Sequence, residues 1–194
     1  VTVRRRIGHF LADDRGSYAI EFAMVSGLFV IVILAIMQYA MFFMARQGLD
    51  AALQRGVRSL ATGGFQRSTA TLTKTSDLLA ALQAKICAED AQADLKLFDC
   101  RQVKLDVKVV SDFSGGPFDS ALDAQTGDWS TSAGTSYSCP KPHSIVLLRG
   151  SLKFPLFASP FGFSLGRFFD GSALIQSASA FRVESYIPPT AGAC

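Results

Sequence analysis

From Phe22 to Ala45 the chain runs for 24 residues without a charge. As a helix at ~1.5 Å per residue that run is ~36 Å long, against a bilayer hydrocarbon core of ~30 Å. It is long enough to cross with some tilt. A cleavable secretory signal has an apolar region of only about 7–15 residues and a small-residue cleavage site after it. Phe42-Phe43-Met44-Ala45-Arg46 is a poor site of that kind, so the run predicts a membrane helix. Arg4, Arg5, Arg6 and Arg15 precede it, tempered by Asp13 and Asp14, and basic residues before an apolar run favour a cytoplasmic amino terminus. Arg46, Arg55 and Arg58 come after the run, so charge alone does not set the orientation.

The cysteines do. Cys87, Cys100, Cys139 and Cys194 all lie beyond the apolar run. An even number on one side of a membrane segment reads as two disulfides in an oxidising compartment. Three pairings are possible; the short loop favours Cys87–Cys100, leaving Cys139–Cys194 to pin the carboxyl terminus. The expected topology is amino terminus inside, domain outside. No CxxC is present and His9 and His143 stand apart, so zinc spacing is missing and no metal or cofactor is expected.

Only 18% of the residues are charged, below the roughly 25% usual for soluble domains, and the deficit lies largely in the apolar run. The net charge of +3 is local: residues 1–63 hold seven arginines and four acids, whereas residues 64–194 balance twelve against twelve. Nucleic-acid binding needs a concentrated basic face, and the second part has none. The chain beyond the membrane segment is long enough for one modest core.

The helix is expected to continue past the membrane. In 46–62, Leu49, Leu53, Val57 and Leu60 form one apolar stripe, with Arg46, Asp50, Arg55 and Arg58 mostly off it. Gly63-Gly64 ends it. This divides the chain into residues 1–16, a helix over 17–62 with its membrane span near 22–45, and a domain over 63–194. Residues 65–75 read as a Thr/Ser-rich linker. Thr75 or Ser76 is placed to cap a second helix, with Asp77 in its first turn and Leu78, Leu79, Leu82 and Ile86 on one face up to Cys87. Residues 103–110 alternate Val103, Leu105, Val107 and Val109 with Lys104, Asp106 and Lys108, the pattern of a half-buried strand. Residues 144–154 form a second strand, expected to bulge at Gly150. Residues 172–187 form a third, with Ile175, Ser177, Ser179, Phe181 and Val183 on one face. The stretch 112–143 reads as a long loop whose Asp119, Asp123 and Asp128 lack calcium-loop spacing and are expected to be solvated. The loop 155–171 carries Phe157, Phe161, Phe163, Phe168 and Phe169, readable either as core under the sheet or as an exposed patch facing a membrane or partner. Helices followed by strands indicate an α+β fold with a small antiparallel sheet.

No Gly-rich phosphate cradle and no local triad motif occurs, so the chain is not expected to be an enzyme. The residue that asks for a reason is Glu21. Insertion scales put an acid at a membrane helix centre at about +2.5–3.5 kcal/mol, less near an end. One reading is an interfacial acid favoured by the helix dipole. The other uses its spacing from Gly16. A cut after Gly16 makes Ser17 a new ammonium at the membrane face and Glu21 the fifth residue, close enough for that ammonium, or a neighbour's, to neutralise it. Glycine before the cut suits a protease that threads an extended backbone. Ala19, Ala23 and Gly27 form a small-residue stripe of the kind that lets helices approach closely in lipid.

A short basic leader, Gly16, Glu21 five residues later and an uninterrupted apolar helix together resemble a type IV prepilin signal. More narrowly, Arg15-Gly16-Ser17-Tyr18-Ala19-Ile20-Glu21-Phe22-Ala23 and Arg46-Gln47-Gly48-Leu49-Asp50-Ala51-Ala52 look like the TadE-like minor pilins, or pseudopilins, of tight-adherence (Tad/Flp) pili. The strand Ser177-Ala178-Ser179-Ala180-Phe181-Arg182-Val183-Glu184 is similar to that family's closing strand, less specifically. The resemblance implies cleavage between Gly16 and Ser17 by a membrane-embedded prepilin peptidase and subunit docking through Glu21 and the adjacent Phe22. It implies as partners the major pilin, other minor pilins and the inner-membrane assembly platform. Phe22 stands where the short major pilins typically carry Tyr, and the chain is far longer than they are, which favours a minor, initiating or tip component. The rival reading is a membrane-anchored binding module or adhesin whose helix is only an anchor.

Overall fold

The structure is a computed structural model that describes residues 17–88, 99–112, 118–156 and 168–187. It is α+β. Helix α1 spans Ser17–Ala61, α2 Gly64–Ser68 and α3 Thr75–Cys87. A 3-10 turn at Cys100–Gln102 leads into the strands β1 (Lys104–Val110), β2 (Ile145–Phe154) and β3 (Ala173–Arg182). The sheet is antiparallel throughout, in the order β1-β2-β3. The chain divides into two compact units, Val1–Ala40 and Met41–Cys194.

The described part of the first unit is helix alone. Its apolar side chains face outward along its length, among them Phe22, Leu28 and Ile36.

In the second unit the rest of α1 is the spine of the core. Ala45, Leu49, Ala52, Leu53 and Leu60 are fully buried, so the apolar stripe of the sequence is the face laid on the sheet. Phe42 meets Phe154 at the end of β2, ring centroids 6.0 Å apart. Leu49 and Leu53 lie over Gly150, and Gly56 faces Leu148. Beyond the helix end, the Glu184 amide donates to the Ala61 carbonyl at 2.8 Å. Helix and strand therefore run antiparallel and match in length. Phe42 to Ala61 rises about 28 Å and β2 spans about 30 Å.

Gly150 is not a bulge, contrary to what its place in the strand predicts. It pairs in unbroken register with Leu105 and Ser177. A Cβ there would sit 3.0 Å from Leu53, so the missing side chain is what lets the helix close on the central strand.

The helix stops where glycine was expected to stop it. Gly63 adopts φ 70°, and its amide donates to the Leu60 carbonyl at 3.3 Å, satisfying a carbonyl the helix end would leave open. The stretch after it is no simple linker. Its first part is α2, with Phe65 in the core and the Gln66 amide donating to the Leu60 carbonyl at 3.1 Å. Helix α3 presents Leu78, Leu79, Leu82 and Ile86 inward as expected. Its N-cap is Lys74, with no side-chain cap, rather than Thr75 or Ser76. Arg55 of α1 donates through Nε and a terminal nitrogen to the Ile86 carbonyl at 3.1 and 3.0 Å, closing the carboxyl end of α3 with a cation.

The other sheet face departs most from expectation. The alternation in β1 predicts Asp106 on a wet face, but Asp106 is fully buried. Residues 118–138 fold over that face and also cover the free edge of β1. The Val107 amide donates to the Ser136 carbonyl and the Ser138 amide to the Val107 carbonyl, each at 2.8 Å. The loop thus supplies the pairing that an edge strand otherwise leaves open. Its acids build turns: Asp123 accepts from the Gln125 amide and Asp128 from the Trp129 amide, both at 2.8 Å. Strand β3 ends at Arg182 rather than near 187, because beyond Val183 the backbone turns from Ser144 to Ala61 for its partners.

Candidate functional site

Among the described residues, the amino-terminal part of α1 presents the longest run of exposed apolar side chains. No proline interrupts α1 between Ser17 and Ala61, and in its amino-terminal part apolar content persists on every face, the pattern of a helix able to lie in lipid. It is long and apolar enough to cross a membrane, and its most apolar window has no buried residue.

Gly16 lies outside the described residues; Ser17 is the first residue of the helix. Glu21 falls one residue beyond the first helical turn, which holds no acid. The helix dipole acts mainly within that turn and gives Glu21 little support. Phe22 is 74% exposed. Ala19, Ala23 and Gly27 are exposed too, and a Cβ at Gly27 would meet nothing within 4 Å. At ~100° per residue the centre of this small-residue stripe lies about 160° around the helix from Glu21. The acid and the smooth stripe thus occupy opposite sides of one rod, a relationship that reading either feature alone does not reveal.

Elsewhere, polar groups are engaged in holding the fold. The buried Asp106 takes Arg149 on one oxygen and three loop amides on the other. The Arg149 guanidinium also reaches the Asp119 carbonyl and lies 4.5 Å over the Phe118 ring. Both carboxylate oxygens are taken up by protein, and the guanidinium donates to protein through all three of its nitrogens. Burial raises the Tyr137 hydroxyl well above the usual range, with Tyr186 adding to the shift.

Cys87 and Cys100 form a disulfide, as the short loop predicts, tying α3 to the entry of β1. Cys139 is also disulfide-bonded; its expected partner, Cys194, lies outside the described residues.

The two described phenylalanines of the loop differ sharply in burial. Phe157, Phe161 and Phe163 lie outside the described residues. Phe168 is buried, its ring 4.8 Å from that of Trp129 and under the Lys153 ammonium. Phe169 is 93% exposed. The composition of the loop signals aromatic density but not this division, which a turn decides.

No curated protein matches the chain, and no solved structure does. A family model described as TadE-like protein matches residues 16–58, from the glycine before the helix to the arginine near its end. Over that stretch the chain is similar to TadE-like proteins.

Proposed function

We propose that this protein is a minor pilin, or pseudopilin, acting in assembly of a Tad-type pilus. In this reading its helix sits in the bacterial inner membrane, with the amino terminus cytoplasmic and the Met41–Cys194 unit in the periplasm. A prepilin peptidase cuts after Gly16 and frees the Ser17 ammonium. The helix then packs against other pilin helices, and the periplasmic unit selects which minor or major pilin, or which part of the assembly platform, it meets. The protein carries out assembly, not catalysis.

The observation that carries this reading is the exposed helix with Glu21 on one side and Ala19, Ala23 and Gly27 on the other. A two-fold pair of helices uses one face twice, whereas a lateral array needs two different faces on each member. The small stripe supplies close approach in lipid, and the carboxylate supplies a charge for a neighbouring or intramolecular ammonium. An anchor that only tethers a binding module needs neither.

The test is amino-terminal sequencing and intact mass of the protein from membranes, beside a strain lacking the prepilin peptidase. The expected mature chain begins at Ser17 in the first and retains Gly16 in the second. An identical, uncut amino terminus in both strains overturns the assignment.

A further inference from the structure

The turn Phe168–Gly171 holds one phenylalanine out of the core with unusual firmness. The Gly171 amide donates to the Phe168 carbonyl at 2.9 Å and the Phe168 amide to the Ser172 carbonyl at 3.0 Å. The Phe169 amide donates to the Gly127 carbonyl at 2.7 Å. Gly171 takes φ 83°. The Asp170 carboxylate accepts from the Ser172 amide and hydroxyl and from Lys153 Nζ, the last at 2.9 Å. On one side of Phe169 the Phe168 ring is packed into Trp129. The Phe169 backbone is therefore fixed while its ring stands 93% exposed. A ring left in water by a floppy tail needs no explanation; a ring projected by a braced turn does.

Its place in the unit says what covers it. The turn leads directly into the start of β3, where Ala173 pairs with Phe154 at the end of β2. That end of the sheet is the one that carries Phe42, two residues after the outward-facing apolar segment ends at Ala40. Phe43 and Met44, at the same level of α1, are half exposed. The opposite end of the sheet carries Ala61 and Glu184. Local charges balance: Lys153 faces Asp170 and Asp128, and Lys104 lies over the Trp129 ring. An aromatic projection whose described charged neighbours balance, at the end of the sheet where the apolar run of α1 ends, matches the headgroup–acyl boundary, where aromatic side chains concentrate.

We propose that the Phe168–Gly171 turn seats the Met41–Cys194 unit on the lipid surface, with the Phe169 ring inserted at the headgroup–acyl boundary. The proposal rests on the reading of α1 as a membrane anchor. Seating fixes the tilt and rotation of the unit above the bilayer, and so the face it shows to a partner. Extraction from the membrane into a filament then has to release the Phe169 ring.

The test uses the full chain reconstituted in phosphatidylcholine vesicles with brominated acyl chains, which quench tryptophan in lipid. Three single variants are read against the wild-type chain, whose sole tryptophan, Trp129, sets the background. Phe29→Trp reports insertion of α1, Phe169→Trp reports the turn, and Lys141→Trp reports the far end of the sheet. The expected result is strong quenching of F29W, loss of roughly half the added emission in F169W, and none in K141W, unchanged when anionic lipid is included. F169W as bright as K141W while F29W is quenched overturns the seating and leaves the anchor standing. F29W unquenched overturns both. Quenching of F169W only with anionic lipid also overturns the proposal, since a charge then does the binding.

Discussion

Asp106 and Arg149 stand directly opposite each other on β1 and β2, and both are withdrawn from water, with the guanidinium 2.7 Å from the carboxylate. Neighbouring strands with opposed charges gain modestly when exposed; buried, the same pair must be fully hydrogen-bonded or it costs more than it returns. Here both carboxylate oxygens are served: one holds Arg149, and the other gathers the amides of Gly134, Thr135 and Ser136 at 2.9–3.2 Å. The pair therefore locks strand register and ties the covering loop to the sheet.

Breaking the pair is expected to be costly and asymmetric. Asp106→Ala orphans the guanidinium and three amides together and is expected to cost about 3–5 kcal/mol, in the range for opening a buried pair. Arg149→Met leaves the three amides served and fills the space with apolar volume, so it should cost less. The double variant should cost less than Asp106→Ala, because the orphaned guanidinium is gone while the amides remain unserved. Urea midpoints of the detergent-solubilised full chain measure this, and Arg149→Met costing more than Asp106→Ala would contradict it.

Acid should weaken the Phe168–Gly171 turn. Hydrogen bonds from the Ser172 hydroxyl, then from Lys153 and the Ser172 amide, hold the Asp170 carboxyl down to about 2, below its ordinary 3.8. Because the folded value is the lower one, the unfolded chain binds the extra proton between these limits. The contribution of Asp170 is thus complete above about pH 5 and lost as pH falls from about 4 to about 2. Urea midpoints of wild type and Asp170→Asn should differ by a constant amount above pH 5 and converge toward pH 2. A gap that is independent of pH would show that the carboxylate charge contributes nothing there.

Gly63 is expected to tolerate no side chain. An L-residue at φ 70° costs on the order of 1–2 kcal/mol. A Cβ would lie 2.4 Å from the Tyr186 ring, which is itself tethered by its hydroxyl to the Pro140 carbonyl at 2.9 Å. Gly63→Ala should therefore cost about 2–4 kcal/mol, combining the backbone term with overpacking. Pairing it with Tyr186→Ala should recover only the steric part. Thermal melts of both variants separate the two terms, and a Gly63→Ala protein melting like wild type would show that the helix end can rearrange.

These examples mark how far the sequence could be read. The α1 stripe at Leu49, Leu53 and Leu60, its stop at Gly63 and the Cys87–Cys100 bridge were legible because period, glycine and loop length are local signals. The burial of Asp106 was not. Alternation reports that a face is polar, while the cover comes from residues 118–138, which have no periodicity to announce it. Gly150 was ambiguous for a related reason: a lone strand glycine permits a bulge or a close approach, and only the helix lying across it decides. Phe168 and Phe169 are neighbours of identical chemistry with opposite fates, set by a turn whose partners, Gly127 and Ser172, include one 42 positions away. At the amino terminus, Gly16 and Glu21 were legible as a spacing, but the opposition of Glu21 to the small stripe emerges only once the helix is continuous from Ser17.

That opposition makes the two faces of α1 separable. Both lie in the unit outside the folded core, so Glu21→Ala and Ala23→Leu should leave the melting of the Met41–Cys194 unit unchanged. On the proposed function each should also leave the cut after Gly16 intact. Each is expected to reduce co-purification with other pilins from membranes about tenfold, the effect of losing a contact worth about 1–2 kcal/mol in lipid. If both faces contact the same neighbour independently, the two losses add and recovery of that neighbour falls about a hundredfold in the double variant. If they meet different neighbours, each neighbour's recovery falls about tenfold and the double is no worse than the corresponding single for either. Quantitative recovery of partners from cross-linked membranes distinguishes these outcomes, and wild-type recovery in both single variants would reduce the helix to an anchor.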